Sequence, residues 1–198
     1  MVSWGHELLA EKISAGQLVV DLTAGNGYDA LMLYRLVGST GQVIAFDVQL
    51  TALQNTRQRL LDAGAEVRMR TAGQGPLILL PGVDLIEAGH ESLADYLPAA
   101  PQAIIANLGY LPGGDPWLVT QPVSTLQALK HSCKLLAPGG RLAVVVYPGH
   151  PGGREEGEQI DRFFAGLNDV NFQTLQLKVA NCPRSPFLLV AEKRLKGL

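Results

Sequence analysis

Short aliphatic runs alternating with stretches of helical spacing constrain this chain more than any other feature. Runs over 17–22, 42–47, 83–88, 103–106 and 142–147 are almost wholly apolar, and the first two close on the carboxylates of Asp21 and Asp47. A strand that is apolar on both faces must be covered on both, as in a parallel sheet with helices on each side. The stretches between the runs supply those helices. Segment 28–37 offers Leu31, Leu33, Tyr34 and Val37 for burial, 49–63 is a long helix stopped by Gly64, and 123–136 ends before Pro138-Gly139-Gly140. Further helices are expected over 3–14, 91–97 and 155–167. Two last runs, 172–179 and 187–192, flank a Pro-rich loop over 181–186. That connection is too short for a parallel crossover, so the pair is antiparallel. The expectation is an α/β fold: a doubly wound, mostly parallel seven-stranded sheet with one antiparallel strand. Segment 66–82, with Arg68, Arg70 and Leu77-Ile78-Leu79-Leu80, shows no period that places it.

The 198 residues carry no repeat, low-complexity tract or linker, so one domain over 1–198 is expected. A formal net charge of −2 gives no global field toward nucleic acid or membrane, though a local basic patch stays open. Cys133 and Cys182 have no metal-ligand spacing, and no metal is expected. Two such cysteines fit a reduced, cytoplasmic compartment. Residues 1–10, with His6 and Glu7, lack the apolar core of a signal peptide, and no window is apolar enough to span a bilayer. The sequence leaves a homodimer open.

In an open parallel sheet, ligands bind beyond the carboxyl ends of the strands, where the winding reverses. The turn Ala24-Gly25-Asn26-Gly27 follows the first strand. Its glycines allow close backbone approach, and helix amides behind it attract a carboxylate. Asn26 and Asp29 are placed to accept from an ammonium group. Asp47 can accept both hydroxyls of a ribose, and Gln49 lies just beyond, near an adenosine. A carboxylate, an ammonium, a ribose diol and a flat base together describe S-adenosylmethionine. The plainer alternative is a tight turn with two solvent-facing acids. After the third run, His90 and Ser92 either bond to the cofactor or, for Ser92, cap the next helix.

The segment Asn107-Leu108-Gly109-Tyr110-Leu111-Pro112-Gly113-Gly114-Asp115 follows the fourth run. An Asn at a strand end, a flexible two-residue step and an aromatic suit a holder for an amino group awaiting methylation. The Asn oxygen accepts from the amine and the aromatic packs on its carrier. The plainer alternative for Asn107 is a strand-end turn residue.

These residues carry a resemblance. Residues 20–29, Phe46-Asp47-Val48-Gln49, the segment 107–115, Tyr147-Pro148-Gly149-His150, Pro186-Phe187 and Glu192-Lys193-Arg194 resemble the MnmM (YtqB-like) family over nearly the whole chain. The resemblance implies a class I, Rossmann-like methyltransferase that uses S-adenosylmethionine. It further implies tRNA as partner, with methylation at the 5-aminomethyl group of a wobble uridine, often 2-thiolated, in the anticodon. On that reading Asn107 orients the amine, Tyr110 packs on the uracil, and His150 accepts a proton or contacts phosphate. His150 is otherwise a histidine of a tight turn. Arg154, Arg184 and Lys178 either meet the tRNA backbone or are solvated, and Trp117 either stacks on a base or is packed. Glu155 and Glu156 read as a favourable first helical turn. Two departures stand out: Tyr28 replaces the usual His, and 66–82 is longer than its counterpart. The competing readings are a methyltransferase for rRNA or a small-molecule amine, and a non-catalytic cofactor-binding module.

Overall fold

The computed structural model describes residues 1–109, 111, 113, 119–149, 152–182 and 184–195. Its centre is an eight-stranded sheet of β1 (Leu18–Asp21), β2 (Gln42–Asp47), β3 (Val67–Thr71), β4 (Gly82–Glu87), β5 (Ala103–Asn107), β6 (Arg141–Val146), β7 (Phe172–Leu177) and β8 (Phe187–Lys193). The spatial order is β3-β4-β2-β1-β5-β6-β8-β7. β8 pairs antiparallel with both β6 and β7, and the other pairings are parallel. The single antiparallel strand is as expected. The count is eight rather than seven because the unplaced segment supplies an edge strand, β3.

Among the described residues, five α-helices cover the sheet: α1 (Val2–Ala10), α2 (Tyr28–Val37), α3 (Leu50–Asp62), α4 (Pro122–Leu135) and α5 (Gly153–Ala165). Successive residues of a strand point to opposite faces, so one aliphatic run feeds two cores. Val20, Ile44, Phe46, Ile104, Leu142 and Val144 face α4 and α5, meeting Leu129, Ile160 and Phe164. Val19, Val43, Ala45, Ile105 and Val145 face α1, α2 and α3, meeting Leu9, Leu33 and Leu53. Ile104 and Ile105 are both fully buried, one on each face. Burying each is worth about 1.5–3 kcal/mol.

The edge strand is held by charge. Arg68 lies opposite Asp84 of β4 in the register. Its guanidinium donates to both Asp84 oxygens, at 3.0 and 2.9 Å, while Arg70 Nε adds a bond of 3.1 Å and Gln42 Nε2 one of 2.9 Å. Asp84 is only 2% exposed. Burial alone would raise its pKa, but the bonds from Arg68 and Gln42 outweigh it and hold the carboxyl below its usual range. At the other end of the fold Arg141 staples α1. It donates to Leu8 O at 2.5 Å, Glu11 Oε2 at 2.7 Å and Glu192 Oε2 at 2.8 Å. Lys12 just beyond α1 adds an ion pair to Glu192 at 3.0 Å.

From β1 the chain winds outward to β2 and β4, then crosses back to place β5 on the other flank of β1. The reversal lies between β1 and β5, where an open sheet leaves a crevice at its carboxyl edge.

Candidate active site

That crevice is a cavity of about 960 Å³. It is walled by the turns after β1 (Gly25, Asn26), β2 (Asp47, Gln49), β4 (His90), β5 (Asn107, Gly109) and β6 (Tyr147). The volume suits a drug-sized or cofactor-sized ligand.

The turn after β1 is fixed from behind. Gly27 caps α2 at φ 79°, and a Cβ there would sit 2.7 Å from Thr56 Cα of α3, so only glycine lets the two helices approach. Thr56 Oγ1 donates to Gly25 O at 3.0 Å, and Arg59 Nε donates to Asn26 O at 2.7 Å. The Arg59 guanidinium lies 3.8 Å from the centre of the exposed Tyr28 ring. The Asn26 side-chain oxygen accepts from Asn55 Nδ2 at 3.0 Å. Asp47 is locked by two backbone amides, Gly25 N to Oδ2 and Gln49 N to Oδ1, both at 2.9 Å. An ionised carboxylate has about four acceptor positions. These bonds do not use all of them, so the carboxylate can still accept from a ligand hydroxyl.

Acids concentrate here. Asp21 is fully buried, and burial, reinforced by neighbouring Asp29 and Asp47, holds its pKa well above the carboxylate range. Burial also raises Asp47, against the opposing amide bonds. Tyr147 is pushed up by burial and then by Asp29. His90 is pushed down by burial, which favours neutral imidazole, and it bonds to the Leu22 backbone. Burial is the leading cause of each of these shifts, so this end of the sheet is a poorly solvated polar site.

Asn107 ends β5. Its backbone N–H donates to Thr23 Oγ1 at 2.8 Å, tying it to the turn after β1. Its side-chain Nδ2 donates to Asp29 Oδ2 in a short hydrogen bond. Asp29 Oδ1 meets His6 Nε2 of α1 at 2.5 Å. Among the described residues, three buried side-chain atoms have no hydrogen-bond partner: Asn107 Oδ1, His90 Nε2 and Asp21 Oδ2. Asn107 and His90 line the cavity, and Asp21 precedes its wall. Buried polar atoms are nearly always paired, so the two orphans on cavity-lining residues, Asn107 Oδ1 and His90 Nε2, fit a ligand that supplies the partners.

The loop after Asn107 is latched by Glu156. Gly109 and Thr120 exchange bonds, Gly109 N to Thr120 Oγ1 at 3.0 Å and Thr120 N to Gly109 O at 2.9 Å. Thr120 Oγ1 then donates to Glu156 Oε2 at 2.8 Å and Thr125 Oγ1 to Glu156 Oε1 at 2.7 Å. Glu156 is 1% exposed. Glu155 and Glu156 both lie in the first turn of α5, as expected, and Glu156 in addition is buried and holds this loop. The heptad-scale pattern of α5 puts Glu156 beside Ile160 and Phe164, the one signal that pointed inward.

Gly25, Asn26, Asp29, Asp47, Gln49, His90 and Asn107 all line the one cavity. Ser92 does not. It lines an adjacent hollow of about 470 Å³, and its Oγ donates to Gly89 O at 2.6 Å at the start of the 3-10 turn His90–Asp95. Tyr110, His150 and Trp117 lie outside the described residues. Arg184 and Pro186 line the cavity, whereas Arg154 pairs with Glu158 at 3.0 Å and Lys178 lies 3.7 Å from Asp161. Sequence reasoning noted His6 without a role.

A doubly wound sheet with a glycine turn after its first strand and a ribose-ready carboxylate ending its second defines a class I S-adenosylmethionine-dependent methyltransferase. Within that class, the chain belongs to the family described as "Putative rRNA methylase", which matches residues 43–193. The chain is 34% identical over 196 residues to the chloroplastic tRNA (mnm(5)s(2)U34)-methyltransferase of Arabidopsis thaliana, over 96% of this chain and 68% of that protein. Its fold matches a solved "putative rRNA-methylase" from Clostridium thermocellum with TM-score 0.86 and 34% identity, covering 97% of this chain and 96% of that one. A "putative methyltransferase" from Streptococcus mutans, solved in complex with SAH, matches with TM-score 0.82 and 32% identity, covering 97% of each chain. The family resemblance read from the motifs is thereby borne out. None of the described helices is long and apolar enough to cross a membrane.

Proposed function

We propose that this protein transfers the methyl group of S-adenosylmethionine to the 5-aminomethyl group of a wobble (2-thio)uridine in tRNA. The observation that carries the proposal is Asn107, an amide whose nitrogen is pinned on Asp29 and whose oxygen is left buried and unpaired at the cavity wall. That is an acceptor prepared for an N–H. The name of the Arabidopsis relative supplies the acceptor nucleoside.

S-adenosylmethionine, when bound, supplies a methyl group already activated on a sulfonium. The residues fit it: Asp47 for the ribose diol, the turn with Gly25 and Asn26 for the methionine end, and Gln49 and His90 Nε2 for the adenosine side. Asp29 adds negative charge to the same wall. The chain's own task is positioning. Asn107 Oδ1 holds one amine N–H so that the nitrogen lone pair faces the methyl carbon. The N–C bond forms as the S–C bond breaks, and the new secondary ammonium then loses one proton, for which His150 is the proposed acceptor. Tyr110 is proposed to pack on the uracil. We also propose cytoplasmic residence, in keeping with free thiols at Cys133 and Cys182.

The test is methyl incorporation into tRNA carrying aminomethyluridine, into tRNA without it, and into rRNA. Incorporation only into the first is expected, lost in Asn107→Ala and in Asp47→Ala. Methylation of rRNA, the reading that the family's description favours, or transfer independent of the aminomethyl group would overturn the proposal.

A further inference from the structure

We infer that His6 and Asp29 form a positioning chain that sets the amide of Asn107, so that the amino-terminal helix is part of the active site. The inference rests on the function proposed above for its kinetic consequence, though not for its geometry. A carboxylate can only accept hydrogen bonds. The Asn107 amide therefore has to present its nitrogen to Asp29, which turns its oxygen away as the atom left without a partner. Without Asp29 the carboxamide has two near-isosteric orientations, one of which shows the amine an N–H where it needs an acceptor.

Asp29 is itself held. It sits in the first turn of α2 and is 6% exposed, and its second oxygen receives His6 Nε2 at 2.5 Å. His6 donates through Nε2 whether the ring is neutral in that tautomer or charged. Its place is set by α1, which Arg141 and Lys12 tie to the sheet. Gly5, next to His6, is buried, and a Cβ on it would meet Leu188 Cδ1 at 3.5 Å, so the helix lies close on β8. Val2, one turn earlier, lines the cavity. Three segments thus converge on one amide orientation: α1, the start of α2 and the end of β5.

His6 is not among the residues that wall the cavity. It acts through Asp29 on Asn107 and is a positioning residue. A misplaced acceptor lowers the rate of the chemical step far more than it lowers cofactor binding. The experiment compares full-length wild type, His6→Leu and His6→Gln. Gln places an amide N–H near the position of Nε2, and Leu fills the space without a donor. On aminomethyluridine tRNA, His6→Leu is expected to lose about tenfold to a hundredfold in kcat. Its dissociation constant for S-adenosylmethionine, from calorimetry, should move less than about threefold, and His6→Gln should recover most of kcat. The pair Asp29→Asn with Asn107→Asp reverses donor and acceptor, and it should recover part of the activity that each single variant loses. Full kcat in His6→Leu, failure of His6→Gln to recover, or a parallel collapse of cofactor affinity would overturn the inference. A substrate-free readout separates it from the activity itself. Solvent exchange of the Asn107 side-chain amide, followed by nitrogen-15 NMR, should quicken in His6→Leu and not in His6→Gln. Unchanged exchange overturns the chain even if wild type methylates a different acceptor.

Discussion

Asp21 shows how a buried carboxyl behind the site makes folding stability depend on pH. Burial and two acidic neighbours raise its pKa above the unfolded value of about 3.9. The sign follows from proton counts. Between the unfolded and the folded pKa, the folded state holds a proton that the unfolded state has released, so stability falls as pH rises through that window. Asp21→Asn removes this dependence. Measured by urea unfolding, the stability of Asp21→Asn relative to wild type should climb as pH rises above the unfolded pKa of about 3.9, by up to about 1.4 kcal/mol for each pH unit inside the window. A difference that stays constant with pH would show that Asp21 does not titrate there. Asp47 and Gly25 were legible in the sequence because their relation is local, a glycine turn answered by the carboxylate ending the next strand. The partnership of Asp29 was not. It joins residues 23 and 78 positions away, His6 and Asn107, and only the folded sheet brings them together. Position alone gave Asp29 to an ammonium group; in the fold each of its oxygens also has a protein partner. Buried Glu156 stayed hidden for the same reason, since a carboxylate after a helix start ordinarily faces water.

Among the elements, β3 shows what periodicity misses. Val67-Arg68-Met69-Arg70-Thr71 has no buried face, and all five residues keep at least partial exposure. The strand forms because Arg68 and Arg70 reach across to Asp84, not because it buries an apolar row. Removing Arg68 leaves Asp84 buried with only part of its compensation, a change that costs about 3 kcal/mol. Arg68→Leu should therefore lower the urea midpoint, and Arg68→Leu with Asp84→Leu should regain most of the loss. No recovery in the double variant would place the effect elsewhere, in the bonds from Arg68 to the Leu80 and Pro81 carbonyls. The central strands were legible because they carry aliphatic side chains on both faces. An edge strand stabilised by ion pairs has no such signature, and it made the sheet one strand wider than expected.

For the molecule as a whole, a ligand that binds only the folded state stabilises it by mass action. At a hundredfold excess over its dissociation constant, S-adenosylmethionine should add about 2.7 kcal/mol. For a chain of this size that raises the melting midpoint by about 5–10 °C. Scanning calorimetry should show the rise in wild type and its loss in Asp47→Ala. A midpoint that ignores the compound would leave the crevice to some other ligand. The line where the winding reverses also divides the labour of the chain. On the function proposed above, residues before the crossover into β5 cradle the methyl source, and residues after it frame the acceptor. A change of acceptor would then fall on the later half and leave the earlier half untouched. Asn107 limits that freedom, because it leans back across the seam onto Asp29 and His6. Any newcomer that keeps this Asn inherits a preference for nitrogen.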